Sequence, residues 1–177
     1  MAGGFGTRLR PLTNSIPKPM VPIVNKPILE HIINLLKTHS IKDYVVLLYF
    51  MPDKIKDYLG DGRKFGVKIR YIVPGEDFGT AGAVKLSEKY IKDKFIVISG
   101  DVLTDFNLTG IADFHEKKNT IATLSLYSSK NPLQYGIVLT DKKDRIVRFL
   151  EKPSSSEVFS DTINTGIYIF NKEIFNY

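Results

Sequence analysis

Residues 43–50, DYVVLLYF, make an almost unbroken apolar run after Asp43. A strand with one wet face alternates polar and apolar residues. This run does not, so it must be covered on both faces, as strands of parallel sheets are when helices pack above and below. Two further segments share the habit, VKIRYIV at 67–73 and KFIVIS at 94–99, the latter ending in Gly100-Asp101. Helical patterns separate them. In PILEHIINLLKTH, residues 27–39, Ile28, Ile32 and Leu36 fall on one stripe with Leu29 and Ile33 beside it, and Pro27 suits the first helical position. Residues 53–59 fit a short helix ended by Gly60-Asp61-Gly62, and 80–91 and 108–117 fit two more, with Asp105 as the expected cap of the last. From residue 121 the texture changes. TIATLSLY alternates, GIVLT and RIVRFLE flank a DKKD turn, and TINTGIYIF follows, which predicts a hairpin and a β-rich last third. The Asp141–Asp144 run reads as the solvated turn of that hairpin. The sum is one α/β domain of three layers around a partly parallel sheet.

The chain has 177 residues, enough for one sizeable core, and 43% hydrophobic residues, the usual share for a globular domain. No apolar run approaches 18 residues, so a membrane partner is not expected. Cysteine is absent, which rules out disulfide and thiolate chemistry and suits a reducing cytoplasm. The net charge of +6 reads either as a lysine-rich solvated surface or as affinity for an anion. Basic patches interleaved with aromatic residues are missing, so nucleic acid is not the expected partner. A phosphorylated small molecule needs only a few placed cations.

AGGFGTRLRPLTNSIPKPM, near the start of the chain, supplies them. Gly3, Gly4 and Gly6 are followed by Thr7 and Arg8, and Lys18 sits between Pro17 and Pro19. The stretch is neither of two common phosphate loops. It lacks the Gly-Lys-Ser/Thr ending of a Walker A loop, and Leu9 stands where a dinucleotide fingerprint needs its third glycine. A generic cradle fits: glycines let successive N–H groups turn toward an anion, Thr7 adds a hydroxyl, Arg8 a planar fork, and Lys18 a point charge on a proline-stiffened backbone. A plain glycine turn with surface cations fits the spacing as well. Asp101 ends a buried strand, where ligands bind in such sheets, although a turn or helix cap would use the same residue.

The motif G-G-x-G-T-R-L-x-P-L-T, Gly3 to Thr13, followed by P-K-P-M-x-P, Pro17 to Pro22, resembles the signature of sugar-phosphate nucleotidyltransferases. Further segments follow in that family's order: F-G-T-A-G-A at 78–83, G-D-V-L at 100–103, Y-G-I-V at 135–138, E-K-P at 151–153 and N-T-G-I-Y at 164–168. The resemblance implies a three-layer Rossmann-like fold with a mixed, mostly parallel central sheet. It implies transfer of a nucleotidyl group from a nucleoside triphosphate to a sugar 1-phosphate, with release of pyrophosphate. Ala2, Gly3, Gly4, Gly6, Thr7 and Arg8 would hold the triphosphate, with Arg8 on the leaving pyrophosphate. Lys18 would neutralise the α-phosphate under in-line attack, and Asp101 would hold Mg²⁺. Gly79, Thr80, Ala81 and Gly82 would line the nucleobase pocket. Gly136, Glu151, Lys152 and Asn164 would bind the sugar phosphate. The form G-T-A-G is more similar to mannose-1-phosphate guanylyltransferases than to thymidylyl- or uridylyltransferases, which favours GTP and mannose 1-phosphate.

Two departures stand out. Members of that family have an apolar strand before the glycine loop, where this sequence has Met1-Ala2, and a second metal-binding aspartate beyond the position of Tyr177. The expectation is a catalytic domain over 1–177 without its first strand and C-terminal part. Two alternatives remain at this point: a glucose-1-phosphate thymidylyl- or uridylyltransferase, and a non-catalytic regulatory homologue or inactive fragment. A homo-oligomer is compatible with either.

Overall fold

The computed structural model describes residues 1–177. Strands β1 (Pro22–Ile23) and β2 (Lys26–Pro27) form a small antiparallel hairpin ahead of helix α1 (Ile28–Thr38). Then come β3 (Asp43–Leu47), α2 (Pro52–Leu59), β4 (Lys68–Ile72), α3 (Gly79–Lys85), β5 (Phe95–Ile98) and α4 (Leu108–Lys118). The last third carries β6 (Ala122–Ser128), β7 (Gly136–Thr140), β8 (Ile146–Glu151) and β9 (Thr162–Phe170). The fold is α/β, with mixed sheets and four helices.

β3 and β4 pair in parallel, with Val45 opposite Arg70. β9 is the spine of the larger sheet. β6 runs along one of its edges, while β5 and β7 share the other, all antiparallel to it, and β8 closes a hairpin with β7. Met1 and Ala2 join the two sheets. The Ala2 N–H donates to the Leu47 carbonyl at 2.8 Å, the Met1 amine donates to the Ile98 carbonyl at 2.8 Å, and the Gly100 N–H donates to the Met1 carbonyl at 2.6 Å. That pattern sets the dipeptide parallel to both β3 and β5. Next to it, β3 and β5 face one another across an apolar slot of about 700 Å³, lined by Ile32, Tyr44, Val46 and Ile96 among others. Parallel alignment thus runs through β4, β3, the dipeptide and β5, the three strands that the sequence marks as buried on both faces, and gives way to antiparallel pairing at β9.

The core gathers around α1. Ile28, Leu29, Ile32, Ile33 and Leu36 all lie under 9% exposed, at the spacing of one helical face. They pack with Tyr44 and Val46 of β3, Ile55 and Leu59 of α2, Ile69 of β4, and Leu108 and Ile167 from beyond the dipeptide. One core therefore spans both sheets.

Two expected helix boundaries move. The helix over 80–91 stops at Lys85, and a separate 3₁₀ turn follows at Glu88–Tyr90. Buried Ser87 explains the break: its hydroxyl donates to the Val84 carbonyl at 2.6 Å and so competes with the regular helical ladder. Asp105 is not the cap of α4. Asn107 takes that place, its Oδ1 accepting from the Gly110 N–H at 3.0 Å, because the cap must lie three residues from the donor it satisfies.

A polar contact pins α1 to α2. The Tyr58 hydroxyl donates to Glu30 Oε2 at 2.5 Å, and Lys26 Nζ lies 3.2 Å from Oε1. The Tyr58 hydrogen bond, with help from Lys26, holds the Glu30 carboxyl below its ordinary value, against the opposing effect of burial, and pushes the Tyr58 phenol up to about 12. A carboxyl depressed in the folded state stabilises the fold at neutral pH and loses that contribution as pH falls below about 4.3 toward its folded value. Urea midpoints of the wild type and Glu30→Gln should therefore differ at pH 7, and the gap should narrow as pH falls below about 4.3. A gap that does not change with pH would assign the difference to packing instead.

Candidate active site

The sheet order places a row of loops along one edge of the molecule. From one side these follow β4, then β3, then the Met1–Ala2 dipeptide, then β5. A cavity of about 370 Å³ runs beneath them. Pro74, Asp77 and Phe78 come from the loop after β4, Gly79 and Thr80 from the first turn of α3, and Tyr49 from the chain after β3. Gly3, Gly4 and Phe5 follow the dipeptide, and Ser99, Gly100 and Asp101 follow β5. Ligands bind at such carboxyl ends of strands in open α/β sheets.

Close approach dictates two of the glycines. A Cβ on Gly100 would stand 2.7 Å from the Met1 carbonyl oxygen, so only glycine lets β5 reach the dipeptide there. Gly6 has φ 62°, the left-handed region, and a Cβ would lie 3.0 Å from both Lys18 Cβ and Thr13 Cγ2. Thr13 ties down this bend, its hydroxyl donating to the Gly6 carbonyl at 2.8 Å. The glycine loop thus folds back onto the segment that carries Lys18.

Lys18 opens a 3₁₀ turn, Lys18–Met20, with Pro17 extended before it and Pro19 buried after it. The turn aims the ammonium at Asp101, with Nζ 2.5 Å from Oδ2. Both side chains keep about a third of their surface open, 31% and 37%. The pair joins positions 83 residues apart. Lys18 is the only cationic side chain on the cavity wall, and Asp77 and Asp101 are the only carboxylates.

Ala2, Gly3, Gly4, Lys18, Gly79, Thr80 and Asp101 thus meet around one cavity. Gly6, Thr7 and Arg8 lie outside its lining. They form the bend and the exposed 3₁₀ turn Thr7–Leu9 next to it. Ala81 and Gly82 also lie outside. A Cβ on Gly82 would fall 2.8 Å from Phe78 Cβ, so that glycine makes room for Phe78.

Gly136, Glu151, Lys152 and Asn164 form a separate group near the β5 end of the row. Gly136 and Glu151 are cross-strand partners, and a Cβ on Gly136 would meet Glu151 Oε2 at 2.7 Å, so the carboxylate folds over the bare glycine. The Lys152 N–H donates to the Tyr135 carbonyl at 3.0 Å. Asn164 is engaged internally: its Nδ2 donates to the Tyr168 hydroxyl at 2.7 Å and its Oδ1 accepts from the Gly166 N–H at 3.1 Å. Gly166 in turn accepts from the Ser99 N–H at 3.0 Å, which links this group to the Asp101 loop.

Tyr49, Asp77, Phe78 and Ser99 also line the cavity, although the motifs single out none of these side chains for a role. Asp77 was within reach of the sequence. It follows a predicted strand, as Asp101 does, and the same strand-end rule applies to it.

No group of three His, Cys, Asp or Glu side chains gathers to cage a metal ion. Asp101 beside the glycine loop is nonetheless a donor that suits Mg²⁺, which takes one or two carboxylates and completes its shell with phosphate oxygens and water.

A family model described as Nucleotidyl transferase matches residues 1–177. A UTP–glucose-1-phosphate uridylyltransferase of a Synechocystis species is 39% identical over 100% of this chain and 49% of its own length. A mannose-1-phosphate guanyltransferase of Yarrowia lipolytica is 38% identical over 98% of this chain and 49% of its own. Among solved structures, HddC from Yersinia pseudotuberculosis complexed with GMP-PN superposes with a TM-score of 0.84 at 30% identity, over 98% of this chain and 76% of that one. The chain spans about half the length of these curated relatives.

Proposed function

The chain belongs to the nucleotidyl transferase family, and from that premise we propose that it moves a nucleotidyl group from a nucleoside triphosphate onto a sugar 1-phosphate, releasing pyrophosphate. The favoured pair is GTP and mannose 1-phosphate. One observation carries this reading: the glycine loop and Lys18, from the start of the chain, converge on a single cavity with Asp101, 83 residues beyond Lys18.

In this reading the backbone of Gly3 and Gly4 orients the triphosphate. The phosphate of the sugar attacks the α-phosphorus, the bond to the β-phosphate oxygen breaks, and pyrophosphate leaves with that electron pair. No proton has to be abstracted, since the nucleophile is already an anion, so positioning and charge neutralisation carry the rate. Lys18 meets the charge that builds on the α-phosphate, and Arg8, on the exposed turn after the glycine loop, meets the leaving pyrophosphate. Mg²⁺, held by Asp101 and phosphate oxygens, would supply further charge neutralisation. Gly136, Glu151, Lys152 and Asn164 hold the sugar phosphate on the β5 side.

The test is pyrophosphate release with Mg²⁺, with GTP, dTTP, UTP, ATP and CTP each offered mannose 1-phosphate and glucose 1-phosphate. Turnover with one pair names the substrates. Silence with every pair would point to a non-catalytic homologue or an inactive fragment. A uridylyltransferase is the second reading, supported by the 39% identity to the Synechocystis protein, and UTP with glucose 1-phosphate would be its active pair. Asp101→Asn should raise the Mg²⁺ concentration needed for half-maximal rate by about tenfold, since one charged donor is lost. An unchanged Mg²⁺ dependence would remove Asp101 from the metal site.

A further inference from the structure

Asp77 has no role in the scheme above, yet it is the only charged side chain on the cavity wall at the β4 end. The loop order fixes what it would face. Lys18 and Asp101 sit at the β5 end, and the glycine loop lies between. A triphosphate laid over the glycine loop with its phosphates toward Lys18 must extend its nucleoside toward the loop after β4. Tyr49 and Phe78 offer aromatic surface there. The carboxylate is oriented as well, because Asp77 Oδ1 accepts from the Gly79 N–H at 2.8 Å. Each carboxylate oxygen has two lone pairs, so Oδ1 keeps one and Oδ2 both, and the two oxygens together can still accept a pair of hydrogen bonds from a ligand.

We infer that Asp77 reads the nucleobase and selects guanine, an inference that rests on the nucleotidyl-transfer reading and deepens it. A carboxylate only accepts hydrogen bonds. Guanine presents two donors side by side, N1–H and the 2-amino group. Uracil and thymine present a single N–H between two carbonyls, whose lone pairs would be pressed against the carboxylate. Adenine and cytosine present an amino group beside a bare ring nitrogen, with the same conflict. Among the five bases only guanine matches an acceptor-only partner at both positions, and a site arranged this way rejects ligands that leave its polar group unpaired.

The experiment is calorimetric titration of the full chain, wild type and Asp77→Asn, with GTP, ITP, XTP and UTP in the presence of Mg²⁺. ITP lacks the 2-amino group, so wild type should bind it about tenfold more weakly than GTP, the weight of one hydrogen bond to a charged group. The Asp77→Asn substitution puts an amide donor in place of one carboxylate oxygen, and xanthine carries a carbonyl where guanine carries the amine. The variant should therefore lose GTP affinity by about tenfold or more and bind XTP more tightly than GTP. The GTP-to-ITP comparison needs no variant, so a misfolded Asp77→Asn cannot hide the answer. Equal binding of GTP and ITP by wild type overturns the inference. Tight UTP with weak GTP overturns it while leaving nucleotidyl transfer intact. Binding of no triphosphate overturns both together.

Discussion

Lys18→Ala is expected to lower kcat by about 10²–10³-fold while changing the KM for the triphosphate only a few-fold, the loss usual for removing one preorganised charge from a transition-state site. Geometry supports a loss of that size. Lys18 is the only cationic side chain on the cavity wall, so no other side chain of the wall replaces it. A unit charge about 4 Å from a developing charge is worth on the order of 4 kcal/mol near a protein surface. Its charge is wanted most when the α-phosphate carries five oxygens, and much less when the triphosphate merely rests on the glycine loop. The variant also frees Asp101, whose Oδ2 now lies 2.5 Å from Nζ. Steady-state kinetics over a range of triphosphate concentrations separates the two parameters. A rise in KM as large as the fall in kcat/KM would make Lys18 a binding residue only. Lys18→Arg should recover part of kcat if charge is what matters, though not all, because a planar fork does not sit where a point charge sat.

The largest effect on stability is expected at Ile167. Its side chain is 0% exposed, opposite Ile98 on β5, in the core that joins both sheets. Ile167→Ala removes buried methyl groups and leaves a cavity that β9, paired on both edges, cannot collapse to fill. The cost should be about 3 kcal/mol, within the usual 2–5 for such truncations, out of a total stability of about 5–15. Ile167→Val should cost about 1 kcal/mol. Urea denaturation followed by circular dichroism measures both. The site should feel the change as well, since the neighbouring Gly166 holds the Ser99 N–H and so the Asp101 loop. A loss under 1 kcal/mol for the alanine variant would mean that β9 relaxes, and that the core does not depend on it.

The elements were legible for a simple reason. Burial on both faces, a 3.6-residue stripe and a glycine-bounded turn are local properties, and each leaves its mark within ten residues. The strands β7 and β9 fall on GIVLT and TINTGIYIF, and α1 sits within one residue of its expected span at both ends. The failures were local contests decided by a single side chain. Ser87 ended α3 early by bonding the backbone, and Asn107 displaced Asp105 as a cap because it alone stood at the right distance from Gly110 N–H.

The sequence by itself determined the α/β class, the glycine loop with its cations, and the carboxylate at the end of β5. Tertiary structure alone decided which of these meet. Lys18 finds Asp101 across 83 residues because a dipeptide threads between β3 and β5 and Gly100 lets it come close. It also decided that Ala81 and Gly82 lie outside the cavity lining while Asp77 and Tyr49 belong to it. Spacing along a chain records what a residue's own element requires. Contacts between elements depend on sheet order and on how closely backbones approach, and neither leaves a periodic trace in the sequence.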